Sequence, residues 1–341
     1  MDRSLRVLFD SEVFGLQTHG GVSRYFVELM RHLPAQGVAP RLVAPFTFNE
    51  YLRTLQTPGF HGIRLPSWAR SRYAAFAVRQ LSRAGDALAA RARDVDVIHR
   101  TYYGRRLRST APQVVTVHDM IPELYPTVFP FPAEREQKRR ACAEAAVVVA
   151  ISNCTQRDLR TFYPELKARV EVIPHAVDAE FFRSRARGED DGTLLFVGRR
   201  GGYKDFATFA QATARLLAKY PDLRVLCVGG GPLSVEELAP YRERGLLSRV
   251  AQRAAADEEL PSLYRRARVF VFPSRYEGFG LPILEAFASG CPVVLARASV
   301  FPEVAQDAAQ YFAPGVVDDL LEVLGRVVAD GGLRGELRRR G

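Results

Sequence analysis

The chain has 341 residues, enough for two ordinary domains, and its 47% hydrophobic and 25% charged residues are typical of a globular protein. No run approaches the ~20 apolar residues that a membrane-spanning helix needs, and the charged start MDRSLRVLFD is not a signal peptide. The formal charge of +10 favours an anionic partner, a class that includes nucleic acid, a nucleotide and a membrane surface.

Short hydrophobic runs alternate with helical patterns along almost the whole chain. Nearly continuous runs of Val, Ile and Leu indicate strands covered on both faces, and the helical segments between them predict βαβ units with parallel sheets. The predicted strands are Leu5–Asp10, Ala39–Ala44, Val95–His99, Gln113–His118, Ala146–Ile151, Val170–Ile173, Leu194–Val197, Arg224–Val228, Val250–Gln252, Val269–Phe272 and Pro292–Leu295.

One segment interrupts this alternation. Residues 179–193 (AEFFRSRARGEDDGT) are charged and contain glycine, so they are predicted to be an interdomain linker. The predicted fold class is α/β, with two Rossmann-like doubly wound domains, residues 1–178 and 194–341, facing each other across a cleft. In such sheets ligands bind beyond the carboxyl ends of the strands.

Two features of the first half lie near the ends of predicted strands. THGGVSRYFVEL places Gly20 and Gly21 just before a helix, which alone is an ordinary loop and not the dinucleotide fingerprint Gly-x-Gly-x-x-Gly. VVTVHDMIPELYP places His118 at the end of a strand. A lone histidine in this position is more often a structural residue than a site residue.

The most informative stretch is FVFPSRYEGFGLPILEAFASGCP, residues 270–292. A strand leads into a loop that contains Gly278 and Gly280. A helix is predicted to begin near Pro282, which suits a first helical turn, and to stop at Gly290. Main-chain N–H groups beside such a helix N-terminus form a favourable place for a diphosphate.

This stretch also carries two carboxylates, Glu277 at the mouth of the loop and Glu285 in the predicted first turn of the helix. A phosphate repels a neighbouring carboxylate, so these acids make sense where they accept hydrogen bonds from sugar hydroxyls. From spacing alone, a loop surface residue and an N-terminal helix charge explain them equally well.

A basic turn, LLFVGRRGGYKDF, spans residues 194–206 and contains Arg199, Arg200 and Lys204. Cations held in such a turn stabilise the charge that builds on a departing diphosphate. The alternative is a basic surface loop. Gly230 lies in a further run, Gly-Gly-Gly-Pro, which follows the strand LRVLCV and alone indicates only a tight turn.

YEGFGLPILEAFASGCPVV resembles the Glu-x7-Glu signature of the retaining family 4 glycosyltransferases, which have the GT-B fold. The resemblance implies that Glu277 contacts the hydroxyls of the donor sugar and that Glu285 binds the ribose hydroxyls. It also implies that main-chain groups around the sugar and the diphosphate come from the loop residues Gly278, Phe279, Gly280 and Leu281.

The resemblance extends to the other motifs. It implies that Lys204 and one of the two arginines, Arg199 or Arg200, bind the donor phosphates, and that the turn with Gly230 lies beneath the nucleotide base. It further implies that Gly20 and Gly21 approach the donor phosphates and that His118 faces the reacting sugar. VEVIPHAVDAEFF departs from the family pattern, because His175–Ala176 stands where Asn-Gly is usual, and a ligand's close approach there is in doubt.

The implied reaction is retaining hexose transfer, in which the departing phosphate deprotonates the acceptor on the same face. The resemblance implies that cationic side chains and helix ends take the place of a metal ion. No cofactor is expected besides the nucleotide sugar, which is a substrate. RGGYKDF and HGGVSRYF are similar to bacterial polysaccharide mannosyltransferases, so GDP-mannose is the first expectation for the donor and a UDP-sugar the next. The expected acceptor is a glycan or a lipid-linked saccharide.

The end of the chain departs from this family. Similar proteins usually continue past a segment like LRGELRRRG into a helix that returns to the first domain, whereas this sequence ends at Gly341. The expectation is therefore a trimmed or shortened member of the family.

Other patterns indicate structure rather than chemistry. Asp94 and Asp96 match the Asp-x-Asp metal motif of another transferase fold, but they lie at the start of a predicted strand and are interpreted as surface residues. The six histidines show no metal-ligand spacing. The four cysteines are scattered and are typical of a reduced, cytoplasmic protein.

Residues 64–108 contain 11 arginines and three acidic residues. One helical stripe within them is apolar, another is basic, and the aromatic residues nearby suit a membrane interface. This pattern predicts either a peripheral contact with an anionic membrane or a helix packed on its own sheet with a solvated basic face. The apolar stripe consists of Tyr73, Ala77, Leu81, Ala84 and Leu88, the basic one of Arg72, Arg79 and Arg83, and the aromatic residues are Trp68, Tyr73 and Phe76.

Two other classes of function remain open at this point. A non-catalytic nucleotide or nucleic-acid binding module agrees with the charge, although the sequence contains no nucleic-acid motif and no nucleic-acid partner is expected. A GT-B phosphorylase or a sugar-nucleotide epimerase would share the fold, but the phosphorylase would need phosphate and the epimerase would need no acceptor.

Overall fold

In a computed structural model of the protein, residues 4–55, 59–92, 94–177, 181 and 190–341 are described. The chain divides into two compact units, the first formed by Met1–Ile151 and Thr155–Ile173 and the second by Ser152–Cys154 and Pro174–Gly341. The predicted domain boundaries stay a prediction, because most of the predicted linker, residues 179–193, lies outside the described residues.

The first unit contains a seven-stranded sheet with the strand order β3-β2-β1-β4-β5-β6-β7, and every described strand pair is parallel. Its strands are β1 Leu5–Phe9, β2 Val38–Thr47, β3 Phe60–Arg64, β4 Val97–Arg100, β5 Gln113–Val117, β6 Val147–Ala150 and β7 Arg169–Val172. Its helices are α1 Glu12–Leu16, α2 Gly21–His32, α3 Arg72–Ala89, α4 Ile121–Leu124, α5 Pro132–Glu144 and α6 Asn153–Phe162.

The second unit contains a six-stranded parallel sheet with the order β10-β9-β8-β11-β12-β13. Its strands are β8 Thr193–Val197, β9 Arg224–Val228, β10 Val250–Arg253, β11 Ala267–Phe272, β12 Val293–Ala296 and β13 Gln310–Phe312. Its helices are α7 Phe206–Lys219, α8 Val235–Arg242, α9 Leu260–Arg266, α10 Leu281–Ala288, α11 Phe301–Ala305, α12 Val317–Ala329 and α13 Gly331–Arg340.

The central strands of each sheet are buried on both faces, as the continuous apolar runs predict. In β1, Phe9 packs with Phe26 of α2 on one face, whereas Leu8 packs with Ala89 of α3 and Ile98 of β4 on the other. The predicted α/β class with doubly wound parallel sheets is confirmed. The sequence does not predict β3 and β13, which are short strands at sheet edges.

In both sheets the strand order reverses at one point, between β1 and β4 in the first and between β8 and β11 in the second. Chain segments that leave neighbouring strands there diverge to opposite sides, which opens a crevice at the carboxyl edge of the sheet. The segments that follow these four strands are therefore the first places to look for ligand-binding side chains.

A buried carboxyl pair fixes the carboxyl end of β1. The side chain of Asp10 accepts hydrogen bonds from the main-chain N–H of Thr101 at 2.8 Å and from its hydroxyl at 2.5 Å. Asp86 of α3 accepts from the main-chain N–H of Ser11 at 3.1 Å and from its hydroxyl at 2.7 Å. Burial raises the pKa of Asp10 to about 6 and, together with repulsion from Asp10, raises the pKa of Asp86 to about 8.

These raised pKa values predict a pH-dependent stability. Above the ordinary aspartate pKa of 3.8 the unfolded chain has lost these protons while the folded protein still holds them, so the free energy of unfolding falls as the pH rises from about 4 to about 8. Asp86→Asn imitates the protonated carboxyl, so it should reduce this fall in the free energy of unfolding by about 1–3 kcal/mol. Urea unfolding at several pH values measures the difference. The exposed Asp94 gives a matched control, and equal pH profiles for Asp86→Asn and Asp94→Asn would contradict the prediction.

Candidate functional site

In the second unit, the loops that follow β8 and β11 are joined at the point where the strand order reverses. The main-chain N–H of Arg275 donates to the carbonyl of Tyr203 at 2.8 Å, which ties the loop after β11 to the loop after β8. The Arg275 guanidinium also pairs with the buried carboxylate of Asp205 at 3.1 Å. The two loops therefore hold each other in place.

Lys204 and Glu277, one from each loop, form an ion pair. The side chains are 17% and 12% exposed, and the Lys204 ammonium lies 5.5 Å from the centre of the Phe272 ring. The Ser299 hydroxyl fixes the main chain of Glu277, since it donates to its carbonyl at 2.8 Å and accepts from its N–H at 3.3 Å. A cation and a hydrogen-bond acceptor thus lie side by side near the surface of the second unit.

The loop from Gly278 to Leu281 leads into α10. Gly280 is the N-cap residue with φ +90°, a left-handed backbone conformation that favours glycine, and a Cβ there would also lie 3.0 Å from the terminal methyl group of Ile283. Phe279 is buried, with its ring 5.1 Å from the imidazole of His175. His175, the residue that departs from the family pattern, therefore packs against this loop.

Glu285 is the fifth residue of α10, so it lies in the second turn and not in the first turn as predicted. The residue is 7% exposed, and its carboxylate accepts a hydrogen bond from the hydroxyl of Tyr264 at 3.2 Å. Burial and the neighbouring carboxylate raise the Tyr264 pKa well above its ordinary value, so the phenol stays protonated as a donor.

The two adjacent arginines have different environments. The buried guanidinium of Arg200 donates to the main-chain carbonyls of Gly229–Pro232 at 2.7 to 3.3 Å, and its Nε donates to Glu237 at 2.9 Å. Gly230, with φ +72°, has no room for a side chain, because a Cβ would lie 2.6 Å from this guanidinium. Arg199 is exposed and has no ion pair within the described part of the chain.

In the first unit, the two glycines before α2 differ in their surroundings. Gly20 has extended backbone, and a Cβ on it would lie 2.3 Å from the side-chain oxygen of Gln17, which accepts from the N–H of Ser23 at 3.1 Å. Gly21 opens on space, with no atom within 4 Å of the position of a Cβ. A side chain at position 20 would therefore displace the Gln17 amide from Ser23, whereas position 21 leaves the start of α2 accessible.

His118 follows β5 at the carboxyl edge of the first sheet and is half-buried. Its ring makes edge contacts with Tyr25 and Phe26, whose centres lie 5.2 and 6.0 Å away. The histidine and the glycines before α2 belong to the first unit, whereas Lys204 and both glutamates belong to the second.

The Asp-x-Asp motif lies at the amino end of β4, as the sequence predicts. Asp96 pairs with Arg6 at 3.1 Å and Asp94 with Arg41 at 3.5 Å. Among the described residues, no group of three or more His, Cys, Asp or Glu side chains is arranged to hold a metal ion. No helix in the same residues has both the length and the apolar composition to span a bilayer.

The apolar stripe of α3 faces away from the sheet. The face of α3 that packs on the first unit consists of Val78, Ser82, Asp86 and Ala89. Tyr73, Phe76, Leu81 and Leu88 are exposed instead, and Trp68 just before the helix is 88% exposed. The helix does pack on its own unit, as one of the two predicted arrangements requires, but its outer face is apolar as well as basic.

Four positions that the sequence analysis did not identify hold the site residues of the second unit in place: Tyr264, Asp205, Arg275 and Ser299. Only Asp205 carries a sequence signal, because an aspartate before a helical run is a common N-cap. The other three act through contacts across 21 to 70 residues of chain, which no local pattern reveals.

Comparison with known proteins gives the family. The Glycosyltransferase Family 4 profile matches residues 19–181, and the profile of Glycosyl transferases group 1 matches residues 177–341. A D-inositol 3-phosphate glycosyltransferase of Kribbella flavida is 31% identical over 92% of this chain and 84% of its own. The MMP alpha-(1->4)-mannosyltransferase of Mycolicibacterium hassiacum is 30% identical over 72% of this chain, and the match spans 65% of its own length, just under two thirds.

The fold agrees with this assignment. The structure of sucrose-phosphate synthase from Thermosynechococcus elongatus superposes with a TM-score of 0.73 over 99% of this chain and 94% of its own, at 21% identity. The two family profiles together span nearly the whole chain, and the Kribbella relative is above 30% identity over 92% of it. The two parallel sheets lead to the same conclusion. The chain belongs to glycosyltransferase family 4 and is a glycosyltransferase of the GT-B fold.

Proposed function

We propose that the protein transfers a hexose, with retention of configuration, from a nucleotide-diphosphate sugar to a glycan or a lipid-linked saccharide. GDP-mannose is the first candidate donor and a UDP-sugar the second. The name of the Mycolicibacterium relative, a mannosyltransferase, supports mannose. The observation that carries the proposal is the ion pair of Lys204 and Glu277, located where the strand order of the second sheet reverses.

This pair contains the two groups that a nucleotide sugar needs at its reacting end. The diphosphate takes the ammonium of Lys204, and the hydroxyls of the sugar donate to the carboxylate of Glu277. Arg199 precedes Lys204 by five residues, is exposed and supplies a second cation for the phosphates. Arg200 is not available for this role, because its guanidinium donates to the carbonyls of the glycine turn. Ligand binding thus exchanges one ion pair for several charge-assisted hydrogen bonds.

In the proposed reaction the bond between the anomeric carbon and the phosphate oxygen breaks, and negative charge builds on the departing diphosphate. Lys204 and Arg199 stabilise that charge in place of a metal ion. The acceptor oxygen forms its bond to the anomeric carbon on the same face, and its proton passes to an oxygen of the departing phosphate. No protein base is required, which agrees with a site built from cations and hydrogen-bond acceptors.

Glu285 is proposed to bind the ribose hydroxyls, because an ionised carboxylate accepts up to four hydrogen bonds and Tyr264 holds this one in place. Main-chain groups of Gly278–Leu281 are proposed to contact the sugar and the diphosphate, and the turn at Gly230 the nucleotide base.

From the first unit, the family resemblance supports His118 as a contact to the sugar, and Gly20 and Gly21 as contacts to the phosphates. The open space at Gly21 agrees with this role, since a ligand can approach the start of α2 there.

We also propose a peripheral contact with an anionic membrane, on the cytoplasmic side. Three aromatic side chains are highly exposed at the start of α3: Trp68 at 88%, Tyr73 at 76% and Phe76 at 59%. Exposed apolar side chains grouped in this way are typical of a surface that binds a membrane or another protein. Arg70 and Arg72 adjoin them in sequence and supply the attraction to acidic lipids.

The donor site predicts a specific stabilisation by one nucleotide. With EDTA present, one of GDP, UDP, ADP and dTDP should raise the melting temperature of the wild type by about 5 °C or more at a hundredfold excess over its Kd. Glu285→Gln should abolish that rise, because the ribose loses its charged acceptor. The exposed Glu322 provides a control, and Glu322→Gln should keep the rise.

Release of sugar from the matching nucleotide sugar would then distinguish an enzyme from a binding module. No rise with any of the four nucleotides at millimolar concentration would contradict the donor site and favour the non-catalytic, basic-surface alternative.

The neighbouring arginines predict opposite phenotypes. Arg200→Ala leaves the carbonyls of the glycine turn and Glu237 without their donor, so it should lower the free energy of unfolding by about 3 kcal/mol. Arg199→Ala should change that free energy by less than about 0.5 kcal/mol but weaken nucleotide binding about tenfold. Urea unfolding and calorimetric titration measure both, and a stability loss in Arg199→Ala with binding intact would reverse the assignment.

The membrane contact predicts a change in the fluorescence of Trp68, the single tryptophan of the chain. Vesicles that contain phosphatidylglycerol should shift its emission to the blue, because the indole enters the interface, whereas pure phosphatidylcholine vesicles should not. Phe76→Ser should weaken this response. Phe131 is equally exposed at 59%, so Phe131→Ser is the matched control, and an unchanged spectrum with acidic vesicles would contradict the contact.

A further inference from the structure

A cavity of about 690 Å³ lies at the carboxyl edge of the first sheet. Asp10 and Glu12, which follow β1, form one part of its wall, and residues 104–108, which follow β4, form another. The second half of α3 forms the third part. The cavity is therefore located where the strand order of this sheet reverses, and its volume is in the usual range for sites that bind small molecules.

The wall of this cavity is strongly basic. Five arginines line it, and among the described residues only Arg83 is in an ion pair, in which its Nη2 and Nε donate to the Glu12 carboxylate at 2.8 and 3.2 Å. The other four are exposed and have no ion pair in the described ranges of the chain: Arg91, Arg105, Arg106 and Arg108. At neutral pH Asp86 offsets little of this charge, because burial and repulsion from Asp10 raise its pKa to about 8, whereas Asp10, with a pKa of about 6, is ionised and offsets one positive charge.

The segment that presents three of these arginines is held in place although it is neither helix nor strand. Arg100, which is buried, donates to the carbonyl of Gly104 at the start of the segment. The side-chain amide of Gln113 donates to the carbonyl of Leu107 at 2.6 Å and accepts from its N–H at 3.4 Å. A fixed main chain lowers the entropy lost when the arginines bind a ligand.

The cavity is continuous with the exposed face of α3 that carries the aromatic residues. Phe76 and Arg83 lie seven residues apart, which places them about 10 Å apart along the helix axis. Their similar helical angle puts both on the side opposite the buried Val78 and Ser82. An anionic group bound in the cavity would thus leave an attached apolar chain close to the surface formed by Trp68, Tyr73 and Phe76.

We propose that this cavity binds the phosphate or diphosphate group of the acceptor. A guanidinium group can bind two phosphate oxygens at once, and the four arginines that form no ion pair with a described residue more than balance the negative charge of a diphosphate. The anion comes either from a lipid-linked saccharide or from a soluble phosphorylated acceptor. The proposal rests on the proposed function, because it assigns the acceptor of that transfer.

The test is calorimetric titration with inorganic pyrophosphate of protein already saturated with the nucleotide that stabilises it most, so that the donor phosphate site is occupied. The wild type should bind pyrophosphate, and the double variant Arg106→Ala/Arg108→Ala should bind at least about tenfold more weakly. Arg157→Ala/Arg160→Ala removes the same charge from exposed positions of α6 and should stay within about twofold. Absence of binding to the wild type, or equal weakening in both double variants, would overturn the proposal.

A second measurement identifies the source of the anion. Phosphatidylcholine vesicles that contain farnesyl diphosphate are floated with each variant, with and without excess pyrophosphate. Recruitment that pyrophosphate reverses and that Arg106→Ala/Arg108→Ala abolishes supports a lipid-linked acceptor. Pyrophosphate binding without recruitment supports a soluble one.

The nucleotide thermal shift separates this proposal from the proposed function. If a nucleotide raises the melting temperature but pyrophosphate does not bind, the assignment of the cavity is overturned and the donor site is not. Absence of any nucleotide shift contradicts the donor site before pyrophosphate is added.

Discussion

Parallel strand pairing is the constraint on which the rest of this structure depends. Because every described strand pair in both sheets is parallel, all carboxyl ends of a sheet meet at one edge, which is where such sheets usually bind ligands. The ion pair of Lys204 and Glu277 and the arginine cavity of the first unit are both located at this edge. Two unrelated sets of side chains thus occupy equivalent positions because the topology of the two sheets is the same.

The groups at these edges are held by buried polar contacts rather than by regular secondary structure. Tyr264 positions Glu285, and Gln113 positions the main chain of the arginine-rich segment. Each of these contacts provides a hydrogen-bond partner for a buried polar group. Without that partner the group would lower the free energy of unfolding by about 1–3 kcal/mol. The same contacts that stabilise the loops therefore define where their exposed side chains are presented.

The sequence predicts the parts of this protein that depend on local pattern. All eleven predicted strands are present, because continuous apolar runs follow from burial on both faces of a parallel sheet. The edge strands Phe60–Arg64 and Gln310–Phe312 are missed, since the first is largely exposed and the second has three residues. The helix at Glu285 is predicted within two residues at its ends, although the glutamate lies one turn later than expected.

Contacts between residues far apart in the chain could not be predicted from the sequence. Asp10 and Asp86 are 76 positions apart, and neither lies in a motif, so their shared environment is visible only in the folded chain. The periodicity of α3 predicts its apolar stripe but not that the stripe faces outward, because the short side chains of Ala89 and Ser82 pack on the sheet instead. Spacing alone leaves Arg199 and Arg200 equivalent, and only burial distinguishes them.

The clamp that Arg200 forms on the glycine turn also limits how this region can evolve. A larger residue at Gly230 would collide with the guanidinium, and its φ of +72° disfavours a side chain even if the arginine were absent. A smaller residue at Arg200 would free the space but remove the donor from the carbonyls of Gly230, Gly231 and Pro232, while the Gly229 carbonyl would keep its bond from the Gln252 amide. Neither position improves when the other changes first, so the pair is expected to persist in descendants of this sequence.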